Sequence, residues 1–380
     1  MPAWTDLGDP IKPDVNGVIG GLLRDLAVVQ TTRQRMWGYK RAAAAVAALD
    51  IPIDQLIQPD GTVARIANIG PASTRVILEV LATGESPTVE EAVAASPKRA
   101  DVERSRRLRE GFLSRAQVAQ ALRDPSLRGP SRAQYRGDLQ MHSEWSDGSQ
   151  TLEDICRTGR ARGYDYAAVT DHSYGLPIAG GMPMTRVIDQ HHEIDLLNAA
   201  SAGIFRLLKG IECNIRADGS LDLSAEELAR FEIVVAAPHA VLRSRLDQTG
   251  RMVAAVSTPG VHILGHPRGR MYGSRPGVSA DWAAVFAAAA RSGVAVELDG
   301  DPARQDLDYR LARLAVDAGC LFALDSDAHA VSQWSYAETA LAHARLAGIP
   351  PSRVINTWPV DRLLAWAAER AALIDTPAGR

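Results

Sequence analysis

Residues 166–173 read YAAVTDHS, a short apolar run followed at once by an aspartate and a histidine. Similar apolar runs recur through the last two-thirds of the chain, at 166–170, 207–211, 233–237, 261–264, 294–298, 321–324 and 354–355. Helical spacing lies between many of them, at 152–162, 225–229, 282–291 and 307–319. Short β-branched runs that alternate with helices are typical of a parallel sheet. We therefore predict an α/β domain whose strands close into a barrel.

Polar side chains that can bind a metal follow several of these runs. The candidates are His142, Asp147, His172, Glu212, His239, His266, Asp327 and His329. A single histidine there is commonly structural, and a single aspartate commonly caps a helix. The carboxyl ends of barrel strands converge on one rim, however, and eight such groups together are costly to bury without a cation. The pattern predicts a metal cluster, and ligands without thiolate suit Zn, Mn or Fe.

The composition excludes several classes of protein. The chain has 380 residues, of which 46% are apolar and 23% charged, so disorder is not its main state. No apolar run approaches membrane-spanning length, and the first ten residues, MPAWTDLGDP, lack the pattern of a signal peptide. The three cysteines lie far apart, which disfavours disulfides and thiolate zinc sites. We expect a soluble cytoplasmic protein with no membrane partner.

The charge is distributed unevenly along the chain. The net charge is −3, but residues 98–136 hold 11 Lys and Arg against four Asp and Glu. This segment has helical spacing and then turn signals at Pro125 and Pro130. It is either a solvated linker helix or a stripe of arginines that contacts phosphates. We expect a helical domain at 1–97, this Arg-rich linker at 98–136 and the barrel at 137–380.

The N-terminal segment has the spacing of a small helical bundle. Residues 16–50 predict two amphipathic helices, and residues 63–84 predict a helix, a tight turn at Gly70 and a second helix that ends at Gly84. Such a turn presents backbone N–H groups to an anion, but an ordinary helical hairpin has the same pattern.

One stretch of this segment resembles a known DNA-binding motif. Residues 65–72, RIANIGPA, resemble the helix-hairpin-helix of family X DNA polymerases, although Asn68 replaces the first glycine of the turn. The resemblance implies contacts to the DNA backbone without sequence readout, for which the candidates are Asn68, Gly70, Ala72 and Arg75. The lysine that forms an imine in lyase-active members falls at or near Arg65, and a guanidinium cannot form that imine. We predict no lyase activity from this position.

Six separated motifs resemble a second family. GDLQMHSEWSDG, VTDHS, GIECNI, APHA, LGHPRGR and SDAH occur in that order and resemble the polymerase and histidinol phosphatase (PHP) domain, most closely that of bacterial family X polymerases. The resemblance implies a distorted (β/α)7 barrel with up to three ions, Zn, Mn or Fe. It implies that Glu212 bridges two ions, one shared with His142 and Asp327 and the other with His239 and His266. Asp147, His172 and His329 would then hold the remaining ion.

One residue departs from the PHP pattern. The usual His-x-His is here Gln140-Met141-His142. An amide oxygen is a poorer ligand than imidazole, so we expect the ion shared by His142 and Asp327 to bind more weakly or to prefer Mn over Zn.

These features together predict a metal-dependent phosphoesterase. Glu212, His172 and Arg268 are its catalytic candidates, although Arg268 is equally well placed to be a surface residue. About forty residues separate the helical domain from the barrel, too few for a polymerase palm. The leading function is a 3′-5′ exonuclease or a 3′-end phosphatase in DNA repair, without polymerase activity. The alternatives are a small-molecule phosphatase of the histidinol-phosphatase type and a non-catalytic DNA-binding scaffold with a structural metal cluster.

Overall fold

A computed structural model describes residues 13–375 of the chain. These residues divide into two units, one of residues 13–124 with 272–274 and the other of residues 125–271 with 275–375. The division falls after Asp124, within the segment 98–136 that the charge pattern predicts as a linker. No helix within 13–375 is both long enough and apolar enough to cross a bilayer.

The first unit is a bundle of short helices. Its helices are α1 (Val15–Val29), α2 (Arg33–Ala47), α3 (Pro71–Thr83), α4 (Pro87–Ala94), α5 (Arg99–Arg107) and α6 (Arg115–Arg123). The apolar faces of α1 and α2 pack together around the fully buried Ile19, Leu23 and Val46. The Thr32 side chain caps α2 by accepting from a backbone N–H, and Gly84 ends α3 with a φ of 81°.

Only the second helix of the predicted hairpin forms. Residues 57–70 hold no helix, and the chain before Asn68 is a turn closed by an antiparallel bridge between Ile57 and Val63. Asn68 itself has a φ of 65°, a conformation that asparagine tolerates better than most residues. The prediction of a helix on both sides of the turn was therefore wrong.

The Arg-rich segment contributes to the first unit's own packing. Val102 of α5 is fully buried in the helical core. Arg106 and Arg109 both pair with the buried Asp25, at 2.6 Å and 2.5 Å. Two arginines of the predicted stripe thus already pair with a buried carboxylate, which reduces the charge they offer to a phosphate.

The second unit confirms the α/β barrel. Seven parallel strands follow one another in sequence order: β1 (Gly137–Asp138), β2 (Tyr166–Val169), β3 (Arg206–Asn214), β4 (Ile233–Ala237), β5 (Ile263–Leu264), β6 (Ala295–Asp299) and β7 (Leu321–Asp325). The helices are α7 (Leu152–Arg162), α8 (Met184–Ala200), α9 (Ala225–Leu228), α10 (Thr249–Ser257), α11 (Trp282–Ser292), α12 (Tyr309–Asp317), α13 (Ala337–Ala347) and α14 (Val360–Ala371). The strands are almost wholly buried, as parallel strands covered by helices must be.

One predicted strand is absent. Val354 makes a single bridge to Phe322, and the chain continues as the 3-10 turn Ile355–Thr357. The buried Asn356 side chain donates to the carbonyls of Gly137 in β1 and Leu324 in β7, both at 3.0 Å. This side chain bonds backbone carbonyls at the seam between the first and last strands. Ile355 packs in the hydrophobic core of the barrel, and residues 354–355 do not extend the sheet.

Candidate metal centre

The eight candidate ligands lie at the carboxyl-terminal rim of the barrel. Glu212 is in β3, and the others follow a strand: His142 follows β1, His172 follows β2, His239 follows β4, His266 follows β5, and Asp327 and His329 follow β7. Asp147 lies in the loop that precedes α7. The rim is ordered by backbone contacts, since the N–H of His142 donates to the carbonyl of Ala328 at 2.8 Å.

Glu212 stands at the centre of these side chains. It is fully buried, and its Oε1 lies 2.9 Å from Nε2 of His266 and 3.2 Å from Nε2 of His239. Its Oε2 lies 3.3 Å from a ring nitrogen of both His142 and His172. One carboxylate therefore faces four imidazoles.

Two aspartates flank this central group. Asp327 Oδ1 lies 3.1 Å from Nε2 of His142. Asp147 Oδ1 lies 3.4 Å from Nε2 of His329 and 3.7 Å from Nε2 of His172. Asp327 has a φ of 52°, a backbone conformation that costs free energy in a non-glycine residue and is common at functional sites.

The geometry of the rim fits cations. Three groups of ligand atoms each lie within 4.8 Å of one another: His142, Asp147, His172 and His329; His172, Glu212 and His239; and His142, Glu212 and Asp327. Ligands about 2.1 Å from one ion in a tetrahedral arrangement are separated by roughly 3.4 Å, which is close to the separations observed here. Glu212 Oε2 and His239 Nε2 are buried without a hydrogen-bond partner. Unpaired buried polar atoms are costly, and bound ions would remove that cost.

Two hydrogen bonds orient the imidazoles. His239 Nδ1 lies 2.6 Å from Oδ1 of Asn214, and His329 Nδ1 lies 2.8 Å from the carbonyl of Asp327. In each ring Nδ1 donates to the oxygen, which leaves Nε2 free to act as a ligand. Asn214 was not a candidate from the sequence, although it stands two positions after Glu212 in the motif GIECNI.

The protonation states of Glu212 and His172 suit metal binding, whereas that of His142 does not. Burial opposes ionisation of Glu212, but its interactions with the surrounding imidazoles, His172 and His239 foremost, outweigh that effect and hold its pKa well below the usual range. Burial lowers the pKa of His172 to about 4, so this ring is a neutral ligand at pH 7. Burial also acts against the charged form of His142, but its hydrogen bond to Asp327 and the nearby negative charge of Glu212 raise its pKa well above the usual range. His142 must therefore lose a proton before it can bind a cation.

Gln140 occupies the position of the missing histidine and is fully buried. Neither its amide oxygen nor its amide nitrogen has a hydrogen-bond partner. The side chain lies beside Gly265, where an added Cβ would meet Gln140 Oε1 at 3.3 Å. Gly265 directly precedes His266, so the amide is next to the ligand cluster.

The arginines near the rim differ from the sequence-based expectation. Arg268 pairs with Asp308 at 3.2 Å and donates to the carbonyl of Pro276, so its guanidinium is already engaged by residues other than the candidate ligands. Arg270 is buried and bonds Asp308 and the carbonyl of Gln305. The guanidinium that contacts the cluster is that of Arg304, which lies 3.4 Å from Asp327 Oδ2. No motif in the sequence identified it.

The candidate DNA-contacting residues lie at the N-terminal end of α3. Asn68 and Gly70 precede the helix, Ala72 and Arg75 are in its first two turns, and all four are exposed. They are close together in the fold, and their contact with DNA stays a prediction.

Comparisons with known proteins show what this chain is similar to. No family model matches the chain. The DNA polymerase/3′-5′ exonuclease PolX of Bacillus subtilis is 35% identical over 230 residues, which are 59% of this chain and 39% of that protein. This chain therefore matches less than half of that relative's length.

Smaller relatives match over nearly their whole length. A probable phosphatase of Serratia proteamaculans is 30% identical over 250 residues, 62% of this chain and 95% of that protein. Among solved structures, the histidinol phosphate phosphatase of Lactococcus lactis, complexed with zinc, L-histidinol and phosphate, is 18% identical with a TM-score of 0.43 and covers 56% of this chain and 94% of that one. On the identity and coverage of the Serratia relative, with the ligand set at the barrel rim, this chain belongs to the PHP family of metal-dependent phosphoesterases.

Proposed function

We propose that this protein hydrolyses phosphoesters at the 3′ ends of DNA in repair, as a 3′-5′ exonuclease or 3′-end phosphatase, and that it has no polymerase activity. The observation that carries the hydrolase assignment is the buried carboxylate of Glu212 within 3.3 Å of four imidazoles. Two observations support DNA as the substrate: the 35% sequence identity to the polymerase/3′-5′ exonuclease of Bacillus subtilis, and the exposed N-terminal end of α3.

The ligand set would hold up to three ions, Zn or Mn, with Fe as a further option, at the three groups of His, Asp and Glu side chains. Such ions supply Lewis acidity and lower the pKa of water toward neutrality. The chain's own residues prepare the site. Glu212 stays ionised, His172 stays neutral, and Asn214 fixes the ring of His239. Each imidazole that acts as a ligand is unavailable as a free acid, so we assign no general acid to this set.

The first experiment measures degradation of end-labelled single strands and duplexes by protein loaded with Mn or Zn. Shortening from the 3′ end, or release of a 3′-phosphate, is the expected result. Activity on DNA should fall steeply as salt rises, because contacts to phosphates release counterions. An exposed arginine of α3 provides the matched variant: Arg75→Ala should weaken DNA turnover and leave turnover of a small phosphate monoester unchanged.

The second candidate is a small-molecule phosphatase of the histidinol-phosphatase type. It is favoured because the match covers 95% of the length of a probable phosphatase but only 39% of the length of the polymerase. This reading predicts turnover of small monoesters that hardly responds to salt, with no activity on oligonucleotides. That pair of results would replace DNA as the substrate.

The third candidate is a DNA-binding scaffold whose ions are only structural. Glu212→Ala separates it from both enzymes. A scaffold would lose stability alone, whereas an enzyme would lose turnover as well.

A further inference from the structure

We propose that Arg304 binds a phosphoryl oxygen of the substrate, beside the ions that Asp327 and His142 would hold. This inference rests on the proposed function of the rim as a phosphoesterase site. It assigns the anion-binding role to Arg304 instead of Arg268, the arginine that the sequence indicates.

The position of Arg304 is the first reason. The residue lies on the loop that follows β6, and its guanidinium Nη2 is 3.4 Å from Oδ2 of Asp327. The other oxygen of Asp327 faces His142 at 3.1 Å. Asp327 thus joins the arginine directly to the ligand cluster, and the side chain of Arg304 remains 20% exposed, so a substrate can reach it.

The second reason is that the N–H donors of the Arg304 guanidinium are not used in hydrogen bonds within the part of the chain that the structure describes. Arg304 makes three ion pairs, at 3.4 Å to Asp327, 3.7 Å to Asp301 and 3.8 Å to Asp299. Within residues 13–375 its guanidinium forms no hydrogen bond, whereas those of Arg268 and Arg270 both do. A guanidinium has five N–H donors in a planar fork that matches the oxygens of a phosphate.

The third reason is that the backbone of Arg304 is held in place before any substrate arrives. The backbone N–H of Arg304 donates to the carbonyl of Asp301 at 2.8 Å, and its own carbonyl accepts from Nε of the buried Arg270 at 2.9 Å. The surrounding carboxylates keep the guanidinium charged. If Asp327 held a cation, less of its negative charge would remain for Arg304, and the guanidinium could pair with an anionic phosphate instead.

The experiment measures the affinity of the Mn-loaded, full-length protein for inorganic phosphate by calorimetry. Arg304→Met should weaken phosphate binding by about 10- to 100-fold, the effect expected for losing a charged hydrogen-bond pair. Arg304→Lys should recover part of the affinity, because an ammonium keeps the charge but loses the fork. Arg206→Met is the matched control. Arg206 begins β3 at the opposite end of the barrel and pairs with Glu232, so its loss should leave the affinity unchanged.

Metal content and melting temperature are measured on the same samples. If Arg304 is only a counter-ion for buried carboxylates, Arg304→Met will lose metal or stability, and phosphate affinity at matched metal occupancy will not change. That result would overturn the proposal. The proposal would also be overturned if Arg268→Met lost phosphate affinity while Arg304→Met and Arg304→Lys did not. A fully metal-loaded wild type that binds no phosphate at millimolar concentration would overturn it as well.

The probe also keeps this proposal separate from the choice of substrate. Inorganic phosphate binding does not require DNA, so inactivity on oligonucleotides would refute the DNA substrate and leave an Arg304 effect standing. Conversely, the wild type could degrade oligonucleotides while Arg304→Met kept its phosphate affinity. That pair of results would refute the role of Arg304 and leave the DNA substrate standing.

Discussion

Glu212 is the residue on which the site depends most. Its two oxygens face four histidines from different strand ends, and it is fully buried. A neutral amide has nearly the same shape but lacks the charge that holds cations among imidazoles. The consequences of removing that charge can therefore be measured without opening a cavity.

We expect Glu212→Gln to lose at least one ion per chain and to reduce turnover at least about 100-fold, because perturbing even an outer-shell partner of a metal typically costs 10- to 100-fold. Elemental analysis and monoester turnover measure both effects, and the rise in melting temperature on adding Mn should disappear. Glu226→Gln, an exposed position at the start of α9, is the control. Full metal content in Glu212→Gln would exclude the central role of this carboxylate.

Gln140 provides a second test at the scale of one residue. Replacing it with histidine should increase the number of ions retained after dialysis, because imidazole is the better ligand. Gln140→Met removes two buried polar atoms that have no hydrogen-bond partner. If the amide is not a ligand, this variant should keep its metal and become more stable in urea. If the amide is a ligand, the variant should lose metal, and elemental analysis distinguishes the two outcomes.

At the scale of elements, one buried asparagine bridges the barrel seam. Asn356 Nδ2 donates to the carbonyls of Gly137 and Leu324 and to Asp325 Oδ1, and its Oδ1 accepts from the N–H of Leu324 at 2.7 Å. The three acceptors share the two hydrogens of Nδ2. The contact to Gly137 reaches β1 and the others reach β7, two strands that are not paired with each other in the sheet.

We expect Asn356→Ala to lower the free energy of unfolding by about 3–5 kcal/mol, since buried groups are left unpaired. Asn198→Ala is the comparison, because Asn198 makes two such bonds to Leu207 at a partly buried site. It should cost about 1–2 kcal/mol. Urea unfolding of metal-free protein measures both, and equal losses would show that the seam has no special role.

Patterns of residues predicted most of the elements correctly. The apolar run 233–237 coincides with β4, and the helical spacing at 152–162 coincides with α7. The first helix of the hairpin and the strand at 354–355 were wrong. In both places the local pattern was short, and turns or side-chain hydrogen bonds from distant residues determined the backbone.

At the scale of the whole molecule, buried histidines outside the metal centre make stability depend on pH. His262 Nδ1 accepts from the N–H of Val234, and its Nε2 donates to the carbonyl of Ala367. His343 Nδ1 accepts from the N–H of Tyr309, and its Nε2 lies 2.8 Å from Gln305 Oε1. Neither ring can accept a second proton without losing a bond, and burial lowers the pKa to about 4 for His262 and about 3 for His343.

These depressed pKa values predict a loss of stability in acid. In the unfolded chain both groups take up protons near pH 6.5, while the folded chain does not, so the free energy of unfolding falls as pH decreases from about 6.5 to about 4. His262 alone accounts for about 3 kcal/mol at the end of that range. Urea unfolding of metal-free protein at pH 7, 6 and 5 measures this contribution as the difference between the wild type and His343→Asn, because the raised pKa values of the buried carboxyls Glu297, Asp299 and Asp325 act in the opposite direction in both proteins. Relative to His343→Asn, the wild type should lose stability as pH falls, whereas the exposed His192→Asn should follow the wild type.

The sequence by itself determined the barrel and the types of side chain that form the ligand set. The reason is that the carboxyl ends of the strands in a parallel barrel face one rim, whatever the exact course of the helices between them. It also predicted that Glu212, Asp327 and the histidines are found together. Only the tertiary structure decided that Glu212 faces four imidazoles, that Asn356 closes the seam and that Arg304 rather than Arg268 contacts the cluster. Those outcomes depend on distances between residues far apart in the chain, which a local pattern does not contain.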